Sequence, residues 1–99
     1  MFRHVVLLRW VDGAAPEAVD AVLEGLAGLP AAIPELRSYV FGPDAGVNEG
    51  NFDLAIVADF GSVEDYLVYR DHPAHQALIA ERIAPILAGR AAVQCELPR

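Results

Sequence analysis

Residues 52–60, Phe52-Asp53-Leu54-Ala55-Ile56-Val57-Ala58-Asp59-Phe60, decide how the rest of the chain is read. Successive side chains of an extended strand point to opposite faces. Phe52, Leu54, Ile56, Ala58 and Phe60 therefore share one face, and Asp53, Ala55, Val57 and Asp59 share the other. The first is a core face. The second has an apolar centre, Ala55 and Val57, between two aspartates. Both faces of this strand need a cover.

Residues 2–10, FRHVVLLRW, repeat the pattern. His4, Val6, Leu8 and Trp10 lie on one face, and Arg3, Val5, Leu7 and Arg9 on the other. Val11-Asp12-Gly13 makes a turn, and Pro16 suits the first turn of a helix. Val19, Val22, Leu23, Leu26 and Ile33 keep helical spacing, which predicts an amphipathic helix over about 16–31. Pro30 and Pro34 mark its exit. Residues 36–42, LRSYVFG, read as a strand, and Pro43 to Gly50 as a polar loop. Beyond residue 60, Ser62-Val63-Glu64-Asp65 resembles a capping box that opens a second helical region. Asp71-His72-Pro73 breaks it and caps a further helix, which runs through the low 80s until Pro85. Residues 91–97, AAVQCEL, form the last strand.

The order β-α-β-β-α-β predicts an α+β, ferredoxin-like fold: one antiparallel sheet with its helices on one face. Ninety-nine residues suit a single domain spanning 1–99. The opposite sheet face, with Val5, Leu7, Ala55 and Val57, would be left bare. An apolar sheet face is stable only when covered, so a homodimer joined sheet to sheet is expected.

Charge narrows the partners. Asp and Glu number 14 against seven basic residues, all arginine and all scattered, for a net charge of −7. Nucleic acid and anionic membrane surfaces need a clustered basic footprint, so neither is expected as a partner. The apolar runs fall well short of the ~18 residues of a spanning helix. The opening MFRHVVLLRW is too short and too charged for a signal peptide. Cys95 is the sole cysteine and cannot form an internal disulfide. A soluble cytoplasmic protein is the expectation.

Four segments together carry a family resemblance: Arg3 to Trp10 (RHVVLLRW), Ile33-Pro34-Glu35, Glu49-Gly50-Asn51-Phe52-Asp53, and His72-Pro73-Ala74-His75. With them the chain resembles, over essentially its whole length, the stress-responsive α/β-barrel (Dabb) domain family. The resemblance implies a dimeric α+β barrel with one pocket per subunit between sheet and helices. Within that family the chain is similar to polyketide cyclases of the olivetolic acid cyclase type. These close a linear poly-β-keto thioester by intramolecular aldol condensation, without metal or organic cofactor. The resemblance implies Tyr69 and His75 as the catalytic pair and His4 as a further pocket histidine. Val6, Leu8, Leu26 and Ile56 are the corresponding substrate-contacting residues. Leu26 stands where the cyclases have a pocket tyrosine, so their substrate is not carried over with the fold.

The residue chemistry agrees. Aldol closure needs a base beside an acidic C–H and a donor beside the oxygen that becomes negative. Imidazole, with an ordinary pKa of about 6.5, suits the first task, and a phenol, at about 10, suits the second. Each residue also has a structural reading: His72 as a helix-start residue, His75 as a surface histidine, Tyr69 and His4 as satisfied core groups. His72 and His75 lack the i, i+4 spacing of helical zinc ligands, so no metal is expected. Two functions remain, a cofactor-free cyclase or a non-catalytic stress-responsive or small-molecule-binding dimer. An open cavity shared by Tyr69 and His75 would favour the first.

Overall fold

The computed structural model describes residues 1–98. β1 (Phe2–Trp10) leads through Gly13 into α1 (Pro16–Ala32), followed by β2 (Ser38–Pro43) and β3 (Leu54–Phe60). Next come α2 (Val63–Asp71), α3 (Pro73–Leu78), a π-turn (Ile79–Ile83), a 3-10 turn (Ala84–Ile86) and β4 (Leu87–Glu96). The sheet order is β2-β3-β1-β4, and every neighbouring pair is antiparallel. This is the ferredoxin-like α+β arrangement.

The inward-facing residues of β1 and β3, among them Val6, Leu8, Leu54, Ile56 and Phe60, meet Val22, Leu26 and Leu29 from α1 and Ile33 at its C-cap. Leu78 and Ile83 close the layer from the second helical region. α1 approaches that region at Gly25, where a Cβ would collide with Leu78 Cδ1. α1 runs through Pro30 to Ala32, one residue beyond the predicted end. Pro30 lies in the last turn, where few helical bonds follow it, and the Ile33 amide closes the helix on the Leu29 carbonyl.

Ser62 caps α2 as expected, its hydroxyl accepting from the Asp65 amide at 3.1 Å. At the break it is His72 that caps α3, Nδ1 accepting from the Ala74 amide at 3.0 Å. Asp71 pairs instead with Arg70. Pro85 cannot donate to the turn before it. The helix widens ahead of Pro85, with the Ala84 amide bonding to the Ile79 carbonyl.

Three strand starts differ from the pattern-based ones, and the ends of β2 and β4 differ by one residue each. β4 begins at Leu87 rather than 91, because pairing with β1 continues to Trp10↔Leu87. β3 begins at Leu54 rather than 52, since the Asp53 carboxylate turns back to accept from the Trp10 amide at 2.8 Å. β2 begins at Ser38 rather than 36, because Leu36 is still held in the turn after α1.

The helix-free sheet face carries a row of four valines: Val40, Val57, Val5 and Val93 lie opposite one another across β2, β3, β1 and β4. Val40 and Val93 are each 63% exposed. On one side the row is flanked by Gly42, Ala55, Leu7 and Ala91. On the other, Arg3 holds Asp59 by two hydrogen bonds of 2.8 and 2.9 Å. Cys95 is exposed there, opposite Arg3. No helix among the described residues is long and apolar enough to cross a membrane.

Candidate active site

A cavity of about 280 Å³ lies between the sheet and the helices. β1 contributes His4, Val6 and Leu8, because its even-numbered side chains face inward. Leu26 of α1 and Ile56 of β3 add apolar wall. Tyr69 comes from the last turns of α2, and His75 from the first turn of α3. All seven residues expected at the site thus border one cavity. His72 does not; its ring is engaged in the helix cap.

His75 and Tyr69 stack, with ring centroids 4.2 Å apart. The break at His72 makes this possible by restarting the helix and swinging residue 75 back over residue 69. His75 Nδ1 lies 3.0 Å from the Arg70 carbonyl oxygen. A carbonyl only accepts, so Nδ1 carries the proton and Nε2 keeps a free lone pair. Burial lowers the His75 pKa, and the bond to the Arg70 carbonyl opposes that shift.

His4 is buried, and its Nδ1 lies 2.8 Å from the Gln94 side-chain nitrogen. An amide nitrogen can only donate, so Nδ1 accepts and the ring proton sits on Nε2. Burial, reinforced by the positive charge of Arg90 and by the cost of protonating His4 beside a second histidine, His75, lowers the His4 pKa from 6.5 to about 4. Tyr69 is buried too, which raises its pKa and keeps the phenol protonated. Its hydroxyl lies 3.3 Å from that of Tyr39, whose own pKa is pushed up by burial. Tyr66 packs beside His4 with ring centroids 4.9 Å apart. The chemistry available here is therefore a neutral imidazole base, protonated phenols and an apolar wall. No cluster of three or more His, Cys, Asp or Glu suited to a metal ion occurs among the described residues.

Several polar residues at or beside the site were not expected from the sequence, Arg70 and Gln76 of its lining among them. Tyr66 was open to pattern reading, lying three residues before Tyr69 on one helix face. Gln94 meets His4 only through the β1–β4 register. Tyr39 meets Tyr69 across thirty positions of sequence. Arg90 precedes the predicted start of the last strand.

Comparisons with known proteins agree with this architecture. A family model described as Stress responsive A/B Barrel Domain matches residues 2–97. The Stress-response A/B barrel domain-containing protein HS1 of Arabidopsis thaliana is 28% identical over 75 residues, 74% of this chain and 69% of that protein. A dimeric ferredoxin-like protein of unknown function from Thermobifida fusca YX is 49% identical, with a TM-score of 0.89 over 97% of this chain and 90% of that one. The hydroxynitrile lyase of Passiflora edulis superposes with a TM-score of 0.84 over 98% of this chain and 93% of its own. At 21% identity that likeness concerns the fold alone.

Proposed function

The chain belongs to the stress-responsive A/B barrel domain (Dabb) family, and within it we propose an enzyme of the polyketide cyclase type that closes a poly-β-keto substrate by intramolecular aldol condensation. One observation carries this: His75 presents an unprotonated Nε2 while its ring rests on Tyr69 at the wall of one cavity. In this scheme Nε2 removes a proton from a methylene between two carbonyls. The carbanion attacks a distant carbonyl carbon of the same chain. A carbon–carbon bond forms, the carbonyl π pair moves to oxygen, the Tyr69 hydroxyl donates to that oxygen, and the proton held on His75 Nε2 is returned to it. Loss of that hydroxyl as water, and hydrolysis of the thioester by water with release of the thiol, then give the cyclic carboxylate. His4, neutral near pH 7, orients the substrate or a water through Nε2–H. Val6, Leu8, Leu26 and Ile56 hold the carbon chain. The scheme calls on no cofactor.

The test is to incubate the protein with linear poly-β-keto thioesters of several lengths and quantify the carboxylate-retaining cyclic product. Product above the spontaneous background is expected. His75→Ala should lower turnover by about 10²–10⁴-fold, the usual contribution of a general base, with Tm little changed. Absence of product from the wild type across the panel refutes the substrate class. Equal activity of His75→Ala refutes the role of His75. A non-catalytic small-molecule-binding or stress-associated protein is the second reading. The Tyr39–Tyr69 hydroxyl bond favours it, because it already satisfies the phenol.

The valine row supports a homodimer joined through the open sheet face. The dimeric state of the Thermobifida fusca relative supports it as well. Sedimentation showing a monomer at micromolar concentration would refute the dimer. The free thiol of Cys95 suits a reducing compartment, and the cytoplasm is the compartment proposed.

A further inference from the structure

We propose that the ligand of this cavity carries a carboxylate and that Arg90 receives it. The chain holds 14 acidic residues against seven arginines, yet the cavity lining contains no Asp or Glu. It contains two arginines instead, Arg70 and Arg90. They differ in availability. Arg70 is already neutralised by Asp71, Nε and Nη2 donating to its carboxylate at 2.9 and 3.1 Å. Arg90 forms no ion pair with any carboxylate among the described residues. Arg9, Arg37 and Arg82 also lack a carboxylate partner among the described residues, but none of them lines this cavity, so Arg90 is the cavity arginine free to take an anion.

The fold determines where that charge stands. Arg90 lies opposite Leu8 in the β1–β4 register, and directly opposed residues project to the same sheet face. Leu8 itself lines the cavity. The guanidinium of Arg90 lowers the proton affinity of both His4 and His75, which marks it as the standing positive charge of the site. Guanidinium matches carboxylate in a bidentate geometry that amides and esters cannot offer. Val6, Leu8, Leu26 and Ile56 give the same cavity an apolar wall, and about 280 Å³ sits just below the ~300–1,000 Å³ usual for small-molecule pockets. The ligand class is accordingly a small acid of about one ring, its carboxylate at Arg90 and its body against Val6, Leu8 and Ile56.

This inference rests on the reading of the cavity as a ligand site, and it does not depend on turnover. Calorimetric titration of the intact protein with 2,4-dihydroxybenzoate and with 2,4-dihydroxybenzamide at neutral pH tests it. The two probes have nearly the same shape and differ in charge. The wild type should bind the acid about 10- to 100-fold more tightly, the factor carried by charge-assisted hydrogen bonds. Arg90→Gln should abolish that preference while still binding the amide, and Arg70→Gln should keep it. Equal binding of acid and amide by the wild type overturns the carboxylate inference and leaves the cavity reading standing. Binding of neither overturns both. A preference that survives in Arg90→Gln and disappears in Arg70→Gln overturns the assignment to Arg90. The acid–amide comparison needs no variant, so a misfolded substitution cannot conceal the outcome.

Discussion

Lowering the pH should destabilise this protein through His4, and the size of the effect follows from the site. His4 titrates at 6.5 when unfolded and at about 4 when folded, because burial disfavours its charged form. Between those values the unfolded chain binds more protons than the folded one. Stability therefore rises with pH over this window. The contribution is fully present above 6.5 and is lost as pH falls toward 4. From pH 7.5 to 4.5 the linkage relation sets an upper bound of about 2.5 kcal/mol. His4 is 4% exposed but borders a cavity that water can enter. Solvent screening leaves roughly 1–1.5 kcal/mol of that bound. The assay is urea denaturation at both pH values and one protein concentration, comparing wild type with His4→Gln. Glutamine keeps a polar group beside Gln94 and cannot titrate. The variant should lose about 1 kcal/mol less than wild type between the two pH values. His75, shifted in the same direction, acts in both proteins and cancels from the comparison. Identical losses would mean that His4 is not held neutral by burial, and its assignment to the cavity wall would fail with that.

Tyr69→Phe removes the proposed oxyanion donor and should lower turnover by roughly 10²–10³-fold in the thioester assay. Tyr39→Phe removes only the hydroxyl partner of Tyr69. It should cost about 1 kcal/mol in denaturant melts and spare most of the activity; equal damage to turnover from both substitutions would refute the division of roles. Val57→Asp places a charge at the centre of the valine row, within the proposed sheet-to-sheet contact. An uncompensated buried charge costs about 3–5 kcal/mol, so sedimentation should show association weakened by at least about 100-fold. An undiminished dimer would place the interface on another face.

Much of the fold was legible because its signals lie between chain neighbours. Two-residue alternation in 2–10 and 52–60 separates a helix-facing side from an open side. Three- and four-residue spacing in α1 selects Val22 and Leu26 for the core. Glycine and proline punctuation supplies the β-α-β-β-α-β order. A side chain's period depends only on the backbone beside it. The same alternation placed His4, Val6, Leu8 and Ile56 on one side, and the residues of the His72–His75 motif lay together in sequence.

What remained depended on pairings between distant segments. The stretch Leu87 to Arg90 contains Ala88 and Gly89, poor strand formers, yet it is extended because Leu8, Arg9 and Trp10 pair with it. That pairing brings Arg90 to the cavity and sets Gln94 against His4. The β2–β3 pairing carries Tyr39 to Tyr69, thirty positions away. Strand register, cavity shape and the resulting proton affinities arise from contacts between segments tens of residues apart. Local periodicity supplied the two faces of this sheet, and only the closed tertiary structure determined which charges and lone pairs meet between them.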